Sequence, residues 1–266
     1  MPKTILLTDI KPAEVGAMFL KPIQIGRDSF VTDIVKQDYR TAAVFQRHGI
    51  EYCCGGRWPL SIICENKGIE LEDLRVELEN AIRPLQVSSA LPFEEWSIDF
   101  LTDYIMHVHH QYLRDNMPFI ETHLERFVTG HSKKYPHLQE LQKLFRDLQA
   151  DIEPHLRQEE EVLFPYVRQI AHAYDDSEPY AGLLVRTLRK PVESIMNQEH
   201  EKIMQFLTRM RQLTHGYTPP ENACVSHGVA YSLLQELDND LVQHLYLENE
   251  VLFPKAIAME KELLKR

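Results

Sequence analysis

Two stretches decide the fold: HLRQEEEVLFP at 155–165 and HLYLENEVLFP at 244–254, identical at eight of eleven positions. Each sets a glutamate four residues after a histidine, a spacing that puts both on one face of a helix. In the first copy, Leu141, Leu148, Ile152, His155, Glu159 and Val162 recur at steps of 3, 4 or 7. In the second, Leu234, Leu237, Leu241, His244, Glu248 and Val251 repeat the pattern, and between them Met196, His200, Ile203, Leu207 and Met210 form a third stripe. His155, Glu159, His200, His244 and Glu248 therefore lie within apolar stripes, not on solvent faces.

A buried carboxylate is costly unless it is paired or binds a metal. Two His–Glu pairs in matched apolar settings therefore predict a cation. Imidazole and carboxylate without thiolate suit iron, manganese or zinc. Glutamates on opposing helices can each bridge two metals, with histidines capping from outside and positions left open for redox or small-ligand chemistry. The first bundle helix leaves its histidine ambiguous, because YIMHVHHQYLRDNMP at 104–118 offers His107, His109 and His110. The stripe Ile98, Leu101, Ile105, Val108, Tyr112 favours His109 as its flank, whereas Met106, His110, Leu113, Met117, Ile120 puts His110 in the seam.

The pattern beyond these stretches predicts an all-α chain. Four long helices are expected at about 93–129, 136–173, 187–214 and 221–262, joined by GHSKKYP, DDSEPYAG and HGYTPPEN. Short connections between long amphipathic helices imply an up-down-up-down four-helix bundle over 93–266. Residues 1–28 read as an irregular lead-in and 85–92 as a linker, with a small helical domain at 29–84 between them. In that domain FVTDIVKQDYRTAAVFQRHG (30–49) reads as one helix, IEYCCGGRWPL as a loop, and SIICENKG and ELEDLRVELENAI as two more helices. Pro154, Pro165 and Pro254 predict bends or breaks that bound the metal level.

Composition narrows the function classes. Lysine plus arginine number 29 against 40 aspartates and glutamates, a net charge of −11, and this acidity argues against nucleic-acid or anionic-membrane partners. No run approaches the roughly 18 apolar residues of a membrane span. The first residues, MPKTILLTDIKPAEVG, lack a signal-peptide core. With adjacent Cys53 and Cys54 and isolated Cys64 and Cys224, the cysteines do not read as a disulfide framework, and a reduced, cytoplasmic protein is expected. Cys64 and Cys224 read as small apolar filler.

GIEYCCGG at 49–56, the HH-x-YLR motif at 109–114, both H-x-x-x-E-x-x-VLFP motifs, QEHE at 198–201 and TPPENAC at 218–224 together resemble the repair-of-iron-centres family. These are hemerythrin-like di-iron proteins that mend iron–sulfur clusters after oxidative or nitrosative stress, and the likeness runs from about residue 29 to 255. It implies a hemerythrin-like bundle binding two iron ions, oxo- or hydroxo-bridged. The ligands it implies are His110, His155, Glu159, His200, His244 and Glu248, with the two glutamates bridging; it selects His110 in the first helix. It implies damaged iron–sulfur proteins or the cluster-assembly machinery as partners, nitric oxide or O2 as small ligands, and allows a homodimer. Iron donation and nitric oxide reduction are both open as the activity, and the alternative is a hemerythrin-like reversible O2 or NO binder without turnover. A redox or ligand-relay role for Cys53 and Cys54 also follows from the resemblance. Glu199 or Glu201 is expected to orient His200 or line an access path, Glu160 and Glu161 to be solvated helix-face charges, and Tyr104, Tyr112 and Tyr246 to be core aromatics.

Overall fold

A computed structural model of the chain describes residues 25–52, 58–82, 91–175 and 192–265. The chain divides into two compact units, Met1–Arg83 and Pro84–Arg266. The described residues are helical, apart from loops and an isolated β-bridge between Phe30 and Pro59.

In the first unit, α1 (Val31–Gln37) and α2 (Thr41–Arg47) stand where one helix is expected. Asp38 breaks it. Its backbone is extended (φ −148°, ψ 111°), and its carboxylate accepts from the Arg40 backbone N–H (3.0 Å) and the Arg40 guanidinium. Its carbonyl accepts from the Thr41 hydroxyl (2.7 Å). An aspartate that captures the next turn's donors offers the backbone an alternative to continuing the helix. Helices α3 (Leu60–Lys67) and α4 (Leu71–Ala81) follow, and α3 ends on Gly68 at φ +66°, a left-handed closure that suits glycine. Val31, Ile34, Phe45, Leu60, Leu74 and Leu78 are buried in this unit. Cys64 is buried too, which raises its thiol pKa, as befits apolar filler. Cys53 and Cys54 lie outside the described residues.

The second unit is built of four rods. The first joins α5 (Ile98–Tyr104) to α6 (Gln111–His131) through a π-helical segment, Ile105–His110. The second joins α7 (His137–Gln158) to α8 (Phe164–Asp175) through π-helical Glu159–Leu163. The third is α9 (Val192–Leu213), and the fourth joins α10 (Val225–Tyr246) to α11 (Phe253–Leu263) through π-helical Leu247–Leu252. Successive rods pack in a ring, first on second, second on third, third on fourth and fourth on first. One apolar cluster, including Leu113, Leu124, Phe145, Leu148, Leu207 and Leu237, fills the ring on one side of the π-helical level. A second, including Leu101, Ile105, Phe164, Val167 and Leu252, fills it on the other. Each fully buried leucine contributes roughly 1.5–3 kcal/mol, so these clusters carry most of the bundle's stability.

The prolines act differently from expectation. Helix α7 runs through Pro154 without a break. Pro165 and Pro254 each sit two residues beyond a π-helical turn, in which the Phe164 N–H reaches back to the Glu159 carbonyl and the Phe253 N–H to that of Glu248. A proline has no N–H and crowds the carbonyl four residues before it. A widened turn just ahead relieves that crowding without ending the rod.

The π turns also settle the ambiguous stripe of the first rod. Ile98, Leu101 and Ile105 are buried before the turn and His110, Leu113, Met117 and Ile120 after it, a five-residue step joining two stripes that strict α periodicity keeps apart. Val108, expected in one stripe, is exposed. Val162 is likewise 46% exposed, because the turn at Glu159–Leu163 rotates Leu163 and Phe164 inward instead.

The link between third and fourth rods holds three successive left-handed residues, His215 (φ 51°), Gly216 (φ 68°) and Tyr217 (φ 60°). Two are not glycine, which costs about 1–2 kcal/mol each. The offset comes from Tyr217, whose hydroxyl donates to buried Asp238 at 2.6 Å while Arg211 donates to the same carboxylate. Tyr217→Phe should lower unfolding free energy by about 1.5–3 kcal/mol, the worth of a hydrogen bond to a charged group, as read by urea denaturation.

Candidate metal centre

Where the π-helical turns share one level, the seam turns from apolar to polar. His110, Glu159, His244 and Glu248 are 0% exposed, and His155 and His200 are 3%. Their inward atoms converge. Glu159 Oε2 lies 3.3 Å from His110 Nε2 and 3.7 Å from His244 Nε2, and its Oε1 lies 3.1 Å from His155 Nε2 and 3.6 Å from His200 Nε2. Glu248 does the same, with Oε1 at 3.2 Å from His244 Nε2 and Oε2 at 3.4 Å from His200 Nε2. Two four-residue clusters result, His110–Glu159–His244–Glu248 and His155–Glu159–His200–Glu248, in each of which one donor atom per residue lies within 4.8 Å of the others. Both glutamates belong to both clusters.

The donor set fits cations. Both oxygens of Glu159 and of Glu248, and Nε2 of His155 and His200, are buried without a hydrogen-bond partner among the described residues. Burial pushes the Glu159 carboxyl up, but the imidazoles of His110, His155 and His200 outweigh it and hold it well below the usual carboxylate range. Burial likewise opposes charging His155, yet Glu159, Glu248 and Glu199 raise its pKa to about 9. His244 is raised for the same reason, Glu248 and Glu159 prevailing over burial. A site that holds ionised carboxylates beside imidazoles in a dry seam is arranged for positive charge.

Outside this layer, partners fix the imidazoles. His110 Nδ1 donates to Glu160 at 2.7 Å, and Glu160 is clamped by Arg114 at 2.8 and 3.0 Å. His200 Nδ1 donates to Asn249 at 2.9 Å and His155 Nδ1 to Glu199 at 2.8 Å. Each bond commits an Nδ1 proton outward and turns Nε2 toward the centre, where a metal can take the place of the second proton that His155 holds without one. His110 also stacks on Phe164 (centroids 5.6 Å) and His200 on Phe253 (6.4 Å). His244 differs: its Nδ1 has no partner among the described residues, and its ring stacks at 5.9 Å on buried His109, which donates to Asp240 at 2.9 Å.

Several placements depart from expectation. Glu199 reaches His155, not His200. Glu201 does not orient His200 either; in keeping with the other place expected for it, it is exposed and lines a cleft of about 700 Å³ that His200, Met204, Val242, Tyr246 and Asn249 also line. Tyr246 is 49% exposed on that cleft and is not a core aromatic. Glu160 is not a solvated charge, whereas Glu161 is exposed. Asn249 was not singled out by sequence reasoning. It was findable, because it occupies in the second repeat the position of Glu160 in the first.

Comparison with known proteins agrees with this geometry. Residues 101–256 match the hemerythrin HHE cation binding domain, and residues 27–82 match ScdA_N, described as a domain of unknown function (DUF542). The chain is 29% identical to iron-sulfur cluster repair protein ScdA of Staphylococcus epidermidis, over 87% of its own length and 99% of that relative. It is 28% identical to iron-sulfur cluster repair protein YtfE of Escherichia coli, over 88% of its length and 99% of that relative. The chain thus belongs to the hemerythrin HHE cation-binding family. Within that family, its pairing with an ScdA_N domain is the make-up of the repair-of-iron-centres proteins that the motifs resemble.

The metal-free chain carries a pH signature. His155 has a folded pKa of about 9, above the ordinary value near 6.5, so folding takes up a proton between the two. That stability is fully present below about pH 6.5 and is lost as pH rises through about 9. Urea denaturation in chelator across this window should show the decline, and His155→Gln should flatten it.

Proposed function

We propose that His110, His155, Glu159, His200, His244 and Glu248 hold two iron ions, with Glu159 and Glu248 each offering one oxygen to either ion. The observation that carries this reading is that the two four-residue clusters share both glutamates. Iron bound there supplies redox and small-ligand chemistry. The chain's own groups do the rest. Glu160, Asn249 and Glu199 orient imidazoles, the apolar clusters on both sides keep bulk water out, and the cleft at His200 gives a small molecule or a departing ion a route.

The protein acts in repair of iron–sulfur clusters, so its clients are iron–sulfur proteins. Our finer reading is that it donates iron, handles nitric oxide, or does both, in the cytoplasm, with Cys53 and Cys54 as redox or relay groups. No helix among the described residues is long and apolar enough to cross a membrane.

Metal analysis of the purified chain should find roughly two irons per chain, as in other carboxylate–histidine bundles. Combining His155→Ala with Glu248→Ala should abolish binding. Glu160→Ala should weaken it by about 10- to 100-fold, since the imidazole it orients is released. Restoring a damaged cluster in a client protein tests the activity. One zinc and no iron would refute the metal assignment, and rapid reversible O2 binding with no repair would mark a carrier.

A further inference from the structure

Far along the bundle from the metal centre, a cysteine meets a histidine. Cys224 is the N-cap of the 22-residue helix α10, and its Sγ lies 3.1 Å from His131 Nε2 at the end of α6. Both are half-buried, so the pair is reachable from solvent. His131 follows His110 by 21 residues and Cys224 precedes His244 by 20. At 1.5 Å per residue, either count puts the pair about 30 Å from the ligands. Apolar filler does not describe this thiol, because it has a polar partner.

The tautomer is set. His131 Nδ1 donates to the Phe127 carbonyl at 2.9 Å, so in the neutral ring Nε2 is the acceptor and the thiol the donor. Transfer of that proton gives thiolate and imidazolium. The thiolate then stands at the N-terminal end of a long helix, without a side-chain cap hydrogen bond, and beside a cation, two influences that favour it. A second polar group lies on the first turn of α10. His227 is 0% exposed, and neither ring nitrogen has a hydrogen-bond partner among the described residues. Its ring packs on Phe127 at 4.9 Å, and the Phe127 ring packs in turn on His131 at 4.8 Å. Tyr135 and Tyr231 close the other sides at 5.0 and 4.5 Å. Burial and the nearby charges of His131, His137 and Lys134 hold His227 neutral, with a pKa of about 4. An unpaired buried imidazole is costly, and this one lies one helical turn after Cys224, with Phe127 packed against both its ring and that of His131.

We propose that Cys224 and His131 form a nucleophilic thiol site, separate from the metal centre, that exchanges with low-molecular-weight disulfides. Cys224 Sγ loses its proton to His131 Nε2 and attacks one sulfur of the disulfide RS–SR. The bond between Cys224 and that sulfur forms as the RS–SR bond breaks. The departing thiolate takes the proton from His131 and leaves as RSH. The chain gains a mixed disulfide, the small disulfide is reduced by the same two electrons, and no other reactant is needed.

The test uses the full-length protein with its metal and glutathione disulfide as the probe, following each cysteine by peptide mass spectrometry at pH 7. Cys224 should react roughly five- to tenfold faster in the folded chain than in urea-unfolded chain, despite its partial burial, because its thiolate fraction is higher. His131→Gln should remove that advantage while helical content and bound metal stay unchanged. Slower reaction of Cys224 in the folded chain, or an equal rate in a folded His131→Gln variant, would overturn the proposal. The folded-against-unfolded comparison decides alone if the variant does not fold. Loss of metal with the cysteine rate intact would count against the metal assignment and not against this one.

Discussion

Two carboxylates buried from solvent, faced among the described residues only by imidazoles, are the constraint on which this bundle rests. Glu159 and Glu248 are completely buried at one level, between two apolar clusters. Left alone, they would push each other and the seam apart, since like charges in a dry medium repel strongly. Four imidazoles, each presenting Nε2, make the level tolerable without metal and leave it able to hold one. The metal-free layer is a compromise in which His155 takes a proton, and cations at the clusters remove the need for it.

The repeat that brings in these glutamates is more than a duplicated histidine–glutamate pair. In each copy the histidine and glutamate face the centre, the residue after the glutamate (Glu160 or Asn249) accepts from the histidine of a neighbouring rod, and the phenylalanine of VLFP stacks on that same ring. One eleven-residue phrase thus supplies two inward donors and holds a third that it does not contain. The correspondence extends to the residues before the single histidines, because Glu199 touches His155 and His109 stacks on His244. There it breaks. Glu199 accepts a hydrogen bond from His155, whereas His109 offers only its ring face to His244 and spends its Nδ1–H on Asp240. The two clusters are alike in inward donors and unlike in support.

How much of this was legible depends on whether local periodicity decides the matter. The four rods and the inward set His155, Glu159, His200, His244 and Glu248 follow from stripes of 3 and 4, because apolar burial enforces those stripes. Three features escape that rule. Asp38 splits a helix through its own side chain, which periodicity does not see. Val108 and Val162 fall outside the core because a π turn inserts a five-residue step, and nothing in a count of 3s and 4s anticipates one. Glu160 looks like one more acid in EEE until Arg114, 46 residues earlier, is placed beside it. Pairing at that range is set by the ring of rods, not by neighbours in sequence.

The π turns and the prolines belong to one device. A widened turn leaves backbone groups poorly matched and is unfavourable in isolation, so three at one level need a common cause. Each lies where a rod must offer inward groups five residues apart, which strict α geometry would rotate away from one another: Ile105 with His110, Glu159 with Phe164, Glu248 with Phe253. Pro165 and Pro254, which lack an N–H for a regular ladder, disfavour the unwidened helix and so lower the relative cost of the π turn. The prolines therefore hold the glutamates and the stacking phenylalanines in register with one another. Replacing either with alanine would restore the ordinary ladder to competition, stabilising the helix while loosening the site.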